Sequence, residues 1–225
     1  MNQLNIKAFT GMLQLAIVLG LTIFLPAWTL DYWQAWVLVA IFFACTLAVT
    51  LYLMKNDPKL LERRVHAGVG AEQERSQNII QAFAAIVFIS IFVVSVLDHR
   101  FGWSTVPAYL TALGDVLIAL GFYLVFLVFK ENTFASGTIE VGAEQKVIMT
   151  GPYALVRHPM YVGALVMLMG VPLALGSLWG LLTIIPMLLV LVARLLDEEK
   201  FLAKNLAGYS EYQSKVRHKL VPLIW

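Results

Sequence analysis

A single cysteine, few charges and no surplus of either sign set the first limits on this chain of 225 residues. Cys45 stands alone, so neither an intramolecular disulfide nor a cysteine-based metal site can form. Inside an apolar run, it reads as a small buried hydrophobe. Charged residues make up 13% of the chain and apolar residues 60%, where soluble domains run near about 25% and about 45–50%. That balance excludes a disordered chain, and a water-soluble globule would have to expose much of its apolar surface. A formal net charge of +2, with no basic stripe interleaved with aromatics, argues against nucleic acid as a partner.

What is present is long apolar runs. A bilayer core takes roughly 20 apolar residues in a helix, and four runs meet this: about Phe9–Leu30, Trp33–Met54, Ile79–Leu97 and Val106–Phe129. The first is too long for a cleavable leader, and Pro26-Ala27-Trp28 is a poor cleavage site. A fifth stretch, Tyr161–Leu196, is too long for one span and too short for two full ones. Pro172, Gly176 and Ser177 interrupt it, which predicts a tight hairpin of two shorter helices, about Met160–Leu175 and Leu178–Leu196. The fold expected is an all-α polytopic bundle of about six crossings with a cytoplasmic cofactor-binding cap. No soluble domain, repeat or low-complexity linker is expected on either side of it.

Six crossings place 15 of the 16 basic residues on one side, leaving Arg100 alone on the other. By the positive-inside rule both termini are expected in the cytoplasm. Trp28, Trp33, Trp36, Trp103 and Trp179 then fall at the outer interface, as an aromatic belt should.

Three cytoplasmic pieces remain, roughly Lys55–Asn78, Lys130–Pro159 and Asp197–Trp225. In the first, Asp57 is placed to cap a short amphipathic helix with Pro58 at its first position, an element suited to lipid headgroups. In the second, Gly151-Pro152-Tyr153 marks a turn, and Arg157-His158-Pro159-Met160-Tyr161 opens a transmembrane helix. Free amides at a helix start beside Arg157 and His158 make a polar pocket, although an arginine anchor and a solvated histidine cap would read the same way. In the third, Arg194 and Glu198 share a helix face at i,i+4, beside Glu199, as an active-site pair or a plain salt bridge. Tyr209 and Tyr212 would line one face of a terminal helix. Asp115, inside the fourth run, is expected to be protonated or paired with a hydroxyl.

In this order, Gly-Pro-Tyr, Arg-His-Pro-x-Tyr-x-Gly, a helical hairpin, Arg-x-x-x-Glu-Glu and Tyr-x-x-Tyr form a set over about Asn132–Trp225. The set resembles the isoprenylcysteine carboxyl methyltransferase family, integral-membrane enzymes that use S-adenosylmethionine, and its bacterial members in particular. The resemblance implies a bacterial inner-membrane location and a methyltransferase core at 131–225, after a four-helix region at 1–130. It implies cofactor contacts from Gln145, Lys146, Val147 and Ile148 in a strand-like segment, from Tyr153, from His158, Pro159, Met160 and Tyr161, and from Glu198. Arg194 matches the arginine associated with the methyl acceptor. The family's Asn-Phe pair is here Asn132-Thr133-Phe134, with an inserted residue, so Asn132 carries no assignment.

The residue types suit the chemistry. Methyl transfer to a carboxylate, thiol or amine needs positioning more than any other contribution, and it needs no metal. Glu198 can bind an ammonium or ribose hydroxyls, tyrosines can pack on cationic parts, and Arg194 can hold an anionic acceptor. For an amine acceptor His158 is the nearest base. The partners expected are therefore the lipid bilayer and a lipophilic or small acceptor. Two other classes fit parts of the pattern: an NADPH-dependent reductase of the sterol type, which shares the Arg-His-Pro helix start, and a non-enzymatic membrane protein.

Overall fold

The computed structural model describes residues 3–66, 75–139, 141–142, 145–222 and 224–225. Eight α-helices follow one another with no strand among the described residues: α1 (Gln3–Ala27), α2 (Trp33–Asn56), α3 (Pro58–Val65), α4 (Arg75–Phe101), α5 (Ala108–Glu131), α6 (Pro159–Ala174), α7 (Ile184–Asn205) and α8 (Tyr209–Lys215). Five segments are long and apolar enough to cross a membrane: α1, α2, α4, α5, and α7 with the 3-10 turn that leads into it. The shorter α6 has 16 residues, about 24 Å of helix. The expected hairpin therefore forms, but its second arm runs on to Asn205, nine residues past the predicted Leu196.

Lipid exposure is written on the outer faces. Leu13, Ile17, Leu21 and Leu25 recur every fourth residue on α1 and are all more than half exposed. Phe83 and Ile86 on α4, three apart, and Ile185 and Leu189 on α7, four apart, are also more than half exposed. Apolar stripes of this extent belong in hydrocarbon, where helices satisfy their own backbone groups. Inside lies a core around Leu19, Ile23, Leu38, Phe42, Phe92, Ile118 and Leu168.

The tightest joint is between α5 and α6. Gly114 and Gly121 on α5, and Gly163 and Gly170 on α6, are each seven apart, which keeps each pair on one seam. A methyl on Gly121 would lie 2.6 Å from the Gly163 carbonyl oxygen, and one on Gly170 2.5 Å from that of Gly114. The helices touch backbone to backbone.

At the far end of the bundle, α6 stops in a Schellman motif. The Ser177 amide donates to the Pro172 carbonyl (2.8 Å) and that of Gly176 to Leu173 (2.9 Å), with Gly176 at φ +72°. Asp98 of α4 fastens this turn: it accepts from the Ser177 hydroxyl (2.6 Å), the Leu178 and Trp179 amides (3.1 and 3.2 Å) and the amide and hydroxyl of Ser104. The Tyr32 hydroxyl, from the residue just before α2, donates to the Leu175 carbonyl. These bonds hold α6 and α7 at a defined height, and so set where their opposite ends meet.

One expectation narrows and one changes. The side chain of Asp115, expected to be protonated or paired with a hydroxyl, is buried, and its Oδ1 has no hydrogen-bond partner among the described residues, so no hydroxyl pairs with that oxygen. The α3 helix forms as predicted, with the Asp57 side chain accepting from the Leu60 amide at 3.0 Å. Its arginines, however, turn inward instead of facing headgroups. Arg63 donates to the Thr133 carbonyl at 2.6 Å and lies over the Phe134 ring. Arg64 lies over Phe129.

Candidate active site

The end of the bundle opposite Asp98 carries a cavity of about 850 Å3, counting its open mouth. It is lined from separate parts of the chain: the segment after α5, the stretch 145–148, the turn at Gly151–Ala154, the start of α6, the polar end of α7, and α8. All eleven residues singled out from the sequence line it: Gln145, Lys146, Val147, Ile148, Tyr153, His158, Pro159, Met160, Tyr161, Arg194 and Glu198.

Local sequence explains the placement. Gly151 takes φ +57°, and its α-carbon region packs against Glu131, whose carboxylate accepts from the Thr150 hydroxyl. The turn so made sends Tyr153 inward. His158 precedes the helix start and Pro159 occupies its first position, where no amide is needed. Three and four residues on, Tyr161 and Val162 return their amides to the His158 carbonyl.

Two polar layers hold the floor. Glu199 Oε1 accepts from Arg157 Nε at 2.6 Å and lies 3.2 Å from His158 Nε2. All three side chains are buried. Arg157 Nη1 also donates to the carbonyls of Val216 and Arg217, while the amides of Arg157 and His158 donate to those of His218 and Lys219. The tail after α8 is thereby strapped along the start of α6. This settles the histidine: it is no solvated cap, and Arg157 is no surface anchor. Above that layer, Glu198 Oε2 accepts from the Tyr161 hydroxyl at 2.7 Å, with His158 Nδ1 at 3.9 Å. The Tyr161 hydroxyl in turn accepts from Arg194 Nε at 3.2 Å. It stands between the two residues that the i,i+4 spacing placed together. Arg194 also donates to Gln77 Oε1 and the Gly137 carbonyl.

Aromatic rings form the remaining wall. Asn132 Nδ2 donates to the Tyr153 hydroxyl at 2.9 Å, and the Tyr212 hydroxyl donates to the Tyr153 carbonyl at 2.8 Å. Burial, opposed by the Asn132 bond and reinforced by the charges of Glu198 and Glu131, pushes the Tyr153 phenol up to about 12. Burial raises Tyr209 and Tyr212 as well, so all three stay neutral near pH 7. They offer faces and hydroxyls, not proton transfer. The buried Tyr209 hydroxyl, on the cavity wall, has no hydrogen-bond partner among the described residues.

Asn132, Glu199 and Arg157 are site residues that the sequence reading did not assign. For Asn132 the inserted Thr133 hid the correspondence. For Glu199 the signal was present, because two adjacent glutamates on a helix point about 100° apart and can serve two partners. The stretch 145–148, expected to be strand-like, forms no strand.

Residues 109–208 match the phospholipid methyltransferase family, which includes the isoprenylcysteine carboxyl methyltransferases. Over this segment the chain is similar to that family. The phospholipid methyltransferase segment begins with α5 and ends just before α8. It contains the glycine seam, the hairpin and every one of the eleven residues above, and it leaves α1–α4 and the closing tyrosines outside. With the apolar helices, it marks an integral-membrane methyltransferase. No curated protein matches the sequence. Among the described residues no group of histidine, cysteine, aspartate or glutamate is arranged to hold a metal ion.

Proposed function

We propose that the protein transfers a methyl group from S-adenosylmethionine to a lipophilic or small acceptor at the cytoplasmic face of a bacterial inner membrane, in the manner of isoprenylcysteine carboxyl methyltransferases. The observation that carries the reading is the convergence of residues from six separated segments on one cavity. In this reading residues 131–225 are the catalytic core, and 1–130 supply the four-helix membrane scaffold.

The donor set fits such a cofactor. The peptide groups of Lys146, Val147 and Ile148 make no backbone hydrogen bond among the described residues, which leaves them available to a planar base. The Tyr209 hydroxyl lacks a partner, and Glu198 is a carboxylate open to an ammonium or to ribose hydroxyls. Pro159 and Met160 supply apolar contact at the mouth of α6. When bound, the cofactor supplies an activated methyl group. The chain's part is to orient it: the Glu199 layer fixes His158 and the start of α6, and Tyr161 links Glu198 to Arg194. In this reading Arg194 faces the acceptor, and His158 is the base available to an amine.

Glu198→Gln tests the assignment, since it keeps the shape and removes the charge. A charge-assisted hydrogen bond contributes roughly 1.5–3 kcal/mol, so affinity for the cofactor is expected to fall by about tenfold to a hundredfold. Unchanged affinity by calorimetry would leave Glu198 as a mere partner of Tyr161 and Arg194.

The membrane orientation is tested separately. Reporter fusions after Met54, Arg100, Thr138 and Trp225 are expected to read in, out, in and in. A periplasmic signal from the Trp225 fusion overturns the six-crossing arrangement.

A further inference from the structure

Arg194 reaches the cavity from α7, yet part of what holds it comes from α4, which lies outside the segment 109–208. Among its contacts, Nε donates to the Tyr161 hydroxyl of α6 at 3.2 Å and Nη2 to the Gly137 carbonyl at 3.0 Å. Nη1 donates to the side-chain oxygen of Gln77, in the first turn of α4, at 3.3 Å. Gln77 is only 3% exposed. It stands behind Arg194, where it lines a separate groove with Ser76, Asp197 and Lys200.

The other end of this side chain explains why a glutamine stands here. The Gln77 amide nitrogen donates to the Asp197 carboxylate, which also accepts from the Ser76 hydroxyl at 3.3 Å. A carboxylate only accepts and a guanidinium only donates. A side chain that joins the two must therefore accept at one end and donate at the other. A primary amide does both, and Asp197 leaves it one direction: nitrogen toward the carboxylate, oxygen toward Arg194. Glutamate would offer acceptors at both ends, and lysine only donors.

We propose that Gln77 is a positioning residue for Arg194. Asp197 fixes the direction of the Gln77 amide, and the amide oxygen fixes the plane of the guanidinium at the cavity wall. A planar fork set in advance has less freedom to lose when it meets a substrate. That this setting governs turnover of the acceptor rests on the methyltransferase reading above, in which Arg194 faces the acceptor. The setting itself does not rest on it.

The test uses the full chain in neutral maltoside micelles, with arginine isotopically labelled at Nε. The Arg194 signal is assigned by its loss in Arg194→Lys. Transfer from tritiated S-adenosylmethionine into a native membrane lipid extract gives an apparent kcat, and S-adenosylhomocysteine binding is measured by calorimetry. Gln77→Met keeps the bulk of the side chain and removes both bonds. Its Arg194 Nε–H signal is expected to broaden and exchange with water. Its kcat should fall by roughly tenfold or more, with S-adenosylhomocysteine affinity within about twofold of wild type. Gln77→Glu combined with Asp197→Asn rebuilds both bonds, because the asparagine can donate to the glutamate. The double variant is expected to recover the signal and most of the turnover. Gln77→Glu alone, which sets two carboxylates against each other, should recover less. An unchanged Arg194 signal in Gln77→Met overturns the proposal, as does a double variant that restores nothing. Parallel losses of turnover, cofactor affinity and melting temperature also overturn it, because Gln77 would then only support the fold. If the signal responds as expected but wild type binds no S-adenosylhomocysteine or transfers no methyl group, the positioning stands and the methyltransferase reading fails.

Discussion

Glu199→Ala is expected to destabilise the protein by about 3–5 kcal/mol, the usual cost of removing one partner from a buried ion pair. Arg157, His158 and Glu199 are 8%, 6% and 8% exposed, so water cannot replace the lost carboxylate. The guanidinium would then remain in the interior with only the Val216 and Arg217 carbonyls to hold. The same change would loosen the tail, since the amides of Arg157 and His158 are tied to it. For a chain of this length the melting temperature should fall by roughly 10 °C, and limited proteolysis should cut after α8 sooner. Glu199→Gln keeps one acceptor oxygen and should lose less. An unchanged melting temperature for Glu199→Ala would show that the cluster orients the site without supporting the fold.

Gly121→Leu is expected to prevent the bundle from forming. A bare methyl at this position already lies 2.6 Å from the Gly163 carbonyl oxygen and from the Met167 amide nitrogen, and backbone atoms cannot turn aside as a flexible side chain can. Gly121→Ala alone should cost about 1–3 kcal/mol by overpacking. Leucine adds a branched group to the same place and would force α5 from α6. Gly11→Ala is the control: nothing lies within 4 Å of its added methyl, and it should be neutral. Monodisperse yield in detergent, with melting temperature for the alanine variants, reads all three. A well-folded Gly121→Leu protein would mean that the two helices do not touch backbone to backbone.

Both effects arise where α5, α6 and α7 meet, which is also where the site is built. The turn at Gly176 and the carboxylate of Asp98 fix the hairpin at one end. The glycine seam fixes how closely α6 lies against α5. The polar ends of α6 and α7 then have little freedom, and Tyr161 comes within reach of both Glu198 and Arg194. Transfer chemistry that depends on positioning requires such a frame.

Much of this was legible in the chain itself. Apolar runs and breakers located the membrane helices, because lipid leaves a backbone few ways to satisfy its hydrogen bonds, but not the polar end by which α7 runs on to Asn205. Asp57-Pro58 declared the start of α3, and His158-Pro159 that of α6, since a cap and a proline act within one turn. The ordered motifs pointed to a methyltransferase before any contact was known. What the tertiary structure alone decided are facts of distance between remote residues. Asn132 reaches Tyr153 across an insertion, Glu199 rather than Glu198 takes Arg157, and Arg64 turns into the bundle instead of out to headgroups. Local spacing reports which face of a helix a residue occupies, but what stands opposite that face depends on how the helices pack. Here, four glycines with no side chain set that packing.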